Sequence, residues 1–188
     1  MACFITFEGV EGSGKTTQIG MAADHLRQCG LPCLVTEEPG GTPLGRRIRD
    51  ILLNRHSFAI TALSELLLFQ ASRCQHVETV IRPALESGSI VLCDRFTDAT
   101  LAYQGFGRGI SMERIHRLNE IATASLKPDK TFLFDVPVEL GLSRASHRMD
   151  MQRDLPREDR FEKEALAFHQ QVREGYLFLA EKEPDRFI

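Results

Sequence analysis

The residues from Gly9 to Thr16 have types and spacing suited to holding a chain of phosphates. They follow the pattern G-x-x-x-x-G-K-[ST], as Gly9-Val10-Glu11-Gly12-Ser13-Gly14-Lys15-Thr16, between a predicted strand and a predicted helix. Glycines let consecutive backbone N–H groups point inward around phosphates, and the positive end of the helix dipole lies at the same place. Lys15 is then placed to reach the β and γ phosphates of a nucleoside triphosphate. A glycine-rich turn without a ligand is the alternative, and the strand-to-helix context disfavours it.

Two side chains with oxygen ligands are predicted to hold Mg²⁺ beside that triphosphate. Thr16 offers a hydroxyl, and Asp94 ends a predicted strand that should lie beside the first one. Asp94 could instead cap the helix that follows it. The sequence therefore predicts a site for a nucleoside triphosphate with Mg²⁺.

Apolar runs of strand length alternate with helical patterns along the chain, which predicts an α/β fold with a mostly parallel sheet. The runs are Cys3 to Phe7, Cys33 to Thr36, Ser89 to Cys93 and Thr131 to Val136, and Asp185 to Ile188 is typical of the start of a fifth strand. Helices are predicted near residues 14–29, 44–53, 61–86, 112–125 and 161–183, with a shorter one before Tyr103.

The predicted helix over 61–86 has two distinct faces. An apolar stripe, expected to face the core, consists of Leu63, Leu66, Leu67, Cys74, Val77, Ile81 and Leu85. Phe69 and Arg73 lie one turn apart, roughly opposite that stripe. Together they could stack on a pyrimidine and donate paired hydrogen bonds to a ring carbonyl. Without further information, Phe69 is better explained as a core residue, because aromatic residues on helices usually pack against other side chains.

The composition limits the possible partners. A chain of 188 residues with 43% apolar content fits one domain. Its 23 Lys plus Arg against 26 Asp plus Glu, a net charge of −3, exclude a basic nucleic-acid binder. No run approaches the ~20 apolar residues of a membrane span, and the 5 cysteines lack metal-ligand spacing and mostly lie in apolar runs typical of core. We therefore expect reduced thiols and a cytoplasmic protein that binds neither nucleic acid nor membrane.

The phosphate loop alone does not fix the function, because GTPases, transport and partition ATPases, and small-molecule kinases share it. The chain has no Asn-Lys-x-Asp motif to recognise guanine and no Leu-Ser-Gly-Gly-Gln motif of a transporter. A kinase for some nucleoside monophosphate and a nucleotide-dependent switch or partition ATPase both stay open from these residues.

Five motifs, in order and spacing, resemble those of bacterial thymidylate kinases: Phe7 to Thr17, Glu38 to Thr42, Phe69 to Arg73, Asp94 to Phe96 and Ala102 to Gly105. The resemblance covers nearly the whole chain. It implies a P-loop kinase fold, a parallel five-stranded sheet with helices on both faces, transfer of the ATP γ-phosphoryl group to dTMP, and a homodimer. Family members continue beyond the fifth strand into a terminal helix, so we expect residues 1–188 to form a single domain whose C-terminal strand and helix are missing or cut short.

The resemblance also implies which residues bind dTMP. Phe69 and Arg73 would hold thymine, Arg95 would bind the acceptor phosphate and act in catalysis, and Glu11 would accept a hydrogen bond from the sugar 3′-hydroxyl. The positions expected to line the sugar and base are Thr100, Tyr103 and Gln104. Arg49 could reach the acceptor phosphate or lie on a solvated helix face.

A further cation is expected from the arginine-rich segment at about 147–160. The variable positions of the phosphate loop contain no Lys or Arg, so Lys15 is its single cation against the charge that develops on the transferred group. Similar enzymes place such arginines in a lid over ATP, and Arg148 followed by Arg153 are our catalytic candidates. A solvated charged loop is the alternative.

Overall fold

Four parallel strands form the centre of the protein in the order β2-β3-β1-β4. The structure is a computed structural model that describes residues 2–54, 58–151, 160–162 and 164–188, with backbone alone at 149 and 150. The strands are β1 (Cys3–Glu8), β2 (Cys33–Glu37), β3 (Ile90–Asp94) and β4 (Lys130–Leu133). All four coincide with predicted runs, although β4 ends before the predicted Val136.

The predicted fifth strand is present in the described residues only as a bridge. Phe187 pairs in parallel with Thr131 of β4, and Ile188 donates its backbone N–H to the Thr131 carbonyl at 2.9 Å. The sheet therefore has four strands instead of the five expected, with the chain beginning to add a fifth beside β4.

Helices cover both faces of this sheet. They are α1 (Lys15–Gln28), α2 (Pro43–Leu53), α3 (Ala62–His76), α4 (Arg82–Glu86), α5 (Thr97–Thr100), α6 (Met112–Thr123), α7 (Val138–Met151) and α8 (Leu166–Lys182). Two π-helical segments, Val77–Ile81 and Leu101–Gly107, continue α3 and α5. The predicted helix over 61–86 is thus a continuous run through α3, the first π segment and α4. The last helix begins at Leu166, later than the predicted Phe161.

The predicted core stripe of α3 is wrong at three positions. Leu63 and Leu67 are 44% and 49% exposed, and Cys74 is exposed. The face that carries Arg73 is buried instead, because its charged and polar groups pair with residues of neighbouring elements. An apolar pattern alone could not show that a polar face would find such partners.

Two packing contacts bring the last two helices to the carboxyl ends of the strands. Helix α8 packs against the second π segment through a buried, mainly aromatic cluster that includes Tyr103, Phe168 and Tyr176. Helix α7 touches the turn after β1 backbone to backbone, because a Cβ atom on Gly12 would overlap the carbonyl of Gly141. Side chains from both helices can therefore reach the edge at which β1 and β3 end.

The cysteines are more exposed than expected. All five are free thiols, but Cys93 alone is buried, whereas Cys29 and Cys74 are exposed. No helix within the described residues has the length and apolar character to cross a membrane.

Candidate active site

A cleft of about 760 Å³ opens at the carboxyl ends of the strands, the usual ligand position in a parallel α/β sheet. Its lining includes most residues predicted to bind nucleotides: Glu11, Gly12, Ser13, Gly14, Lys15, Thr16, Arg49, Phe69, Arg73, Asp94, Arg95, Thr100, Tyr103, Gln104 and Arg148. Residues far apart in the chain are thus brought to one site. Gly9 and Val10 are buried and do not line the cleft, and the Val10 side chain packs in the core.

The phosphate loop turns between β1 and α1 with three glycines in conformations that other residues adopt only under strain. Gly9, Gly12 and Gly14 have φ values of 139°, 65° and 99°. Lys15 is buried at the start of α1 and its ammonium donates to the carbonyls of Gly9 and Val10, at 3.1 and 2.9 Å. The loop thus presents backbone donors, a helix amino terminus and one ammonium group to the cleft.

The environment of Lys15 lowers its pKa to about 8. Burial is the largest cause and the positive charge of Arg95 adds to it, against the raising influence of Asp94, Glu11 and Glu8. A lysine in this position favours a phosphate ligand, because added negative charge stabilises its protonated form.

Thr16 and Asp94 meet across the ends of α1 and β3. The threonine hydroxyl donates to Asp94 Oδ2 at 3.1 Å, at the edge of the cleft. Within the described residues, no group of three or more His, Cys, Asp or Glu could hold a metal. One hydroxyl and one carboxylate still fit Mg²⁺, which binds through one or two protein oxygens together with water and substrate phosphates. The predicted metal ligands therefore lie together with suitable chemistry.

Arg148 reaches the cleft from the last turns of α7. The contact between Gly12 and Gly141 fixes that helix against the phosphate loop, so the distance from loop to arginine depends on both glycines. The other predicted catalytic arginine, Arg153, falls at 152–159, outside the described residues.

Arg95 lies at the centre of a polar cluster between the loop and the acceptor half of the cleft. Its backbone has φ of 66°, a conformation that is costly for a residue with a side chain and that clusters at functional sites. Its guanidinium lies over the ring of Tyr103, 4.8 Å from the centroid, and donates to the Tyr103 hydroxyl at 3.0 Å. Glu11 completes the group, since it accepts from Tyr103 at 2.5 Å and lies 3.4 Å from Arg95.

Glu11 is held as a carboxylate in this cluster. Burial by itself would raise its pKa, but His169, Arg95, Tyr103 and Lys15 together lower it to about 2. The Oε2 atom of Glu11 is buried beside His169, whose Nδ1 atom lies 3.3 Å away, while the residue as a whole lines the cleft. A charged acceptor at the cleft can bind a hydroxyl group.

The side of the cleft away from the phosphate loop is here called the acceptor wall, defined as Glu38, Phe69, Arg73, Arg95 and Tyr103. Phe69 is half-buried and faces Phe161, with ring centroids 6.3 Å apart. Arg73 is 2% exposed and donates to Glu38 at 2.7 Å.

Arg73 has less capacity for a ligand than expected. Besides its bond to Glu38, it donates to Asn119 at 2.8 Å, to Gln70 at 3.5 Å and to the Phe96 carbonyl at 2.9 Å. Among the described residues, these four bonds use four of the five guanidinium N–H groups, so one is left for a ligand. The expected pair of donors for a ring carbonyl is therefore reduced to one.

The remaining predicted residues also border the cleft. Thr100 and Gln104 are buried, and the Gln104 amide donates to Glu65 at 2.9 Å. Arg49 donates to the carbonyl of Pro39 at 2.9 Å and to Glu37 at 3.2 Å. Arg49 thus lies at the cleft, as the phosphate-binding interpretation requires, instead of on a fully solvated helix face.

Several residues of this site escaped prediction, and all but Glu8 lie far in the sequence from the quoted motifs. Glu8 and Tyr176 contact the turn that carries Arg95, while Phe161 and Glu162 line the cleft. Burial is the main cause that raises the pKa of Glu162. One signal was available for α8, since His169 and Tyr176 are seven residues apart and share a helix face.

The phosphate loop can hold one set of phosphates while Arg95 faces it across the same cleft. This fold and site define a P-loop phosphotransferase, the class of enzyme that brings a nucleoside triphosphate to a second substrate. The family model "Thymidylate kinase" matches residues 7–188. The chain belongs to the thymidylate kinase family.

Curated relatives and a solved structure agree with that family. The chain is 56% identical over 188 residues to the thymidylate kinase of Geotalea daltonii, covering 100% of this chain and 88% of the relative. It is 57% identical over 187 residues to that of Syntrophus aciditrophicus, covering 100% and 85%. The crystal structure of thymidylate kinase from Ehrlichia chaffeensis superposes with a TM-score of 0.78 at 37% identity, covering 100% of this chain and 91% of that one.

Proposed function

We propose that this chain transfers the γ-phosphoryl group of ATP to dTMP and forms ADP and dTDP. The observation that carries the proposal is a single cleft in which a phosphate loop faces an arginine, with an aromatic and arginine pair beyond it. The names of its relatives support the same reaction.

On the donor side, backbone N–H groups from Gly9 to Thr16 and the ammonium of Lys15 bind the ATP phosphates. Thr16 and Asp94 hold Mg²⁺, which when bound neutralises charge on the phosphates. Positioning and electrostatic stabilisation account for most of catalysis in this chemistry, because there is little covalent work for the protein.

On the acceptor side, Arg95 binds the dTMP phosphate and aligns it with the γ-phosphoryl group. Phe69 stacks on thymine, the remaining N–H of Arg73 reads a ring carbonyl, and Glu11 accepts from the 3′-hydroxyl. The other contacts come from Arg49, Thr100, Tyr103 and Gln104.

Arg148 supplies the cation that the phosphate loop lacks, and Arg153 is the second candidate. The position of Arg148 in the cleft, at the end of α7, supports its assignment. A positioned arginine accelerates phosphoryl transfer by about 10³ to 10⁵-fold.

We further propose a homodimer and a cytoplasmic location. Exposed leucines on adjoining helices, namely Leu44 on α2 with Leu63 and Leu67 on α3, support a helical interface. The five free thiols support a reducing compartment. Sedimentation of the purified chain tests the first proposal, and a monomer at micromolar concentration would refute it.

The decisive experiment measures ATP-dependent phosphorylation of dTMP, dUMP, AMP and CMP by the purified chain. We expect dTMP to give the highest kcat/KM. A preference for AMP would overturn the thymine assignment. ATP hydrolysis that is unaffected by all four acceptors would indicate a nucleotide-dependent switch instead.

A further inference from the structure

A chain of buried hydrogen bonds connects α8 to the turn that carries Arg95. Arg95 donates from Nη1 to the Tyr176 hydroxyl oxygen at 2.9 Å, and that hydroxyl donates to Glu8 Oε2 at 2.8 Å. The other oxygen of Glu8 accepts the backbone N–H of Phe96 at 2.7 Å. Glu8 thus holds both the backbone beside Arg95 and the group that contacts its side chain.

The direction of the bond from Arg95 is fixed, because a guanidinium can only donate hydrogen bonds. The Tyr176 hydroxyl therefore accepts from Arg95, and its own proton points to Glu8 Oε2 when Glu8 is ionised. Tyr176 and Glu8 are 1% and 0% exposed, so water cannot substitute for either group. The result is a rigid acceptor aimed at one end of the guanidinium.

Arg95 needs such an acceptor because a competitor lies close by. Its Nη2 atom is 3.4 Å from Glu11 Oε1, a carboxylate that would attract the whole guanidinium if Nη1 were released. Tyr176 holds Nη1, so the guanidinium is shared between Tyr176 and Glu11. In this orientation Arg95 lines the cleft.

We propose that Tyr176, together with Glu8, is a positioning residue that sets the orientation of Arg95 toward the acceptor phosphate. The proposal rests on the proposed function of Arg95. Neither Tyr176 nor Glu8 lines the cleft, so both act through the arginine and not on the substrate.

The test is Tyr176→Phe, which removes one oxygen and keeps the ring in its aromatic cluster. We expect KM for dTMP to rise about tenfold, the lower end for a lost hydrogen bond to a charged group, with KM for ATP within about twofold. Competitive inhibition by thymidine should change by less than about twofold, because thymidine has no phosphate for Arg95 to bind. A tenfold weaker competitive inhibition by thymidine, or an unchanged KM for dTMP, would overturn the proposal.

A second variant on the same helix separates positioning from packing. Leu179 is buried on α8 in a cluster that does not include Arg95 or Tyr176. We expect Leu179→Ala to lower Tm by several degrees while KM for dTMP stays within about twofold. If it raises that KM as much as Tyr176→Phe does, the effect comes from general loosening of α8 and the proposal fails.

A double-mutant cycle with Arg95→Met identifies the route of the effect. Arg95→Met alone should raise KM for dTMP strongly, and adding Tyr176→Phe should then cause no further rise. A full additional tenfold rise would show that Tyr176 acts independently of Arg95. An unchanged KM in Arg95→Met alone would refute the acceptor-phosphate role itself, and with it the positioning role.

Discussion

The phosphate loop and the acceptor wall hold their groups by different kinds of contact. The loop is contiguous from Gly9 to Thr16, and its donors are backbone N–H groups that three glycines orient. The acceptor wall draws its five residues from separate parts of the chain, and buried side-chain hydrogen bonds orient its polar members.

That contrast has an energetic consequence. Changing a side chain near backbone N–H donors in a turn costs little stability. Removing one partner of a buried ion pair costs more, because the other charge is left uncompensated. We therefore expect changes in the loop to affect activity, and changes in the wall to affect folding as well.

The largest effect is expected from the donor half of the cleft, with Arg148→Ala. Loss of a positioned cation should lower kcat by about 10³ to 10⁵-fold with little change in Tm, because Arg148 is exposed at the end of α7. Steady-state kinetics and thermal unfolding provide both values. Arg27→Ala, at an exposed pair with Asp24 on α1, is the control and should retain full activity. Unchanged turnover in Arg148→Ala would eliminate this arginine as the catalytic cation.

In the acceptor wall, Arg73→Ala should destabilise the fold by about 3 to 5 kcal/mol, because it leaves the buried carboxylate of Glu38 without its arginine. Chemical denaturation measures the free energy of unfolding. Within the loop, Lys15→Ala should abolish most activity yet change that free energy by less than about 1 kcal/mol, since burial of its ammonium is already unfavourable. If both variants lose equal stability, the contrast between the two regions is wrong.

Stability should also depend on pH through Glu8, a buried acid that supports Arg95 of the acceptor wall. Burial, followed by the charge of Asp98, raises the pKa of Glu8 from 4.5 to about 7. Between these values the folded protein binds a proton that the unfolded chain has released, so stability falls as pH rises. We expect a loss of roughly 2 kcal/mol between pH 5 and pH 8 that Glu8→Gln does not show. Denaturation curves at both pH values test this, and parallel curves for the two proteins would contradict it.

The smallest effect is expected at the packing contact between α7 and the phosphate loop. A Cβ atom on Gly141 would overlap the carbonyl oxygen of Glu11, so Gly141→Ala should shift α7 and lower kcat/KM for ATP about tenfold. Gly20→Ala on α1 is the matched control, because nothing lies within 4 Å of its added Cβ atom. That control should leave the kinetics unchanged and increase stability slightly, by about the 1 kcal/mol that separates the helix propensities of alanine and glycine. Equal kinetics in the two variants would show that the α7 contact tolerates movement.

The elements and the loop followed closely from local sequence. Strand-length apolar runs located all four strands, and Lys15 began α1 as the phosphate-loop pattern required. Periodicity failed on α3, where it predicted Leu63 and Leu67 inside and could not anticipate that Arg73 would be buried. An apolar sequence pattern indicates which side chains gain free energy when they leave water. It contains no information on whether a carboxylate distant in the sequence will pair with a buried charge.

Family resemblance located the residues that face the cleft but not the residues that hold them. Arg95 was predicted from its motif, whereas its partner Tyr176 lies 81 positions away in the chain, on α8. Glu8 was inside a quoted motif, yet nothing in its neighbours indicated that it would be fully buried against Phe96 and Tyr176.

The sequence by itself determined the parallel α/β architecture and the phosphate loop with Thr16, and the motif around Asp94 indicated its partner. The loop depends on residues that are adjacent in the chain, and the strands follow from local apolar runs. Tertiary structure alone decided how Arg73 and Arg95 are oriented and which donors they keep for a ligand. The physical reason is that the position of a buried charge is set by whichever opposite charges the fold brings within hydrogen-bonding distance.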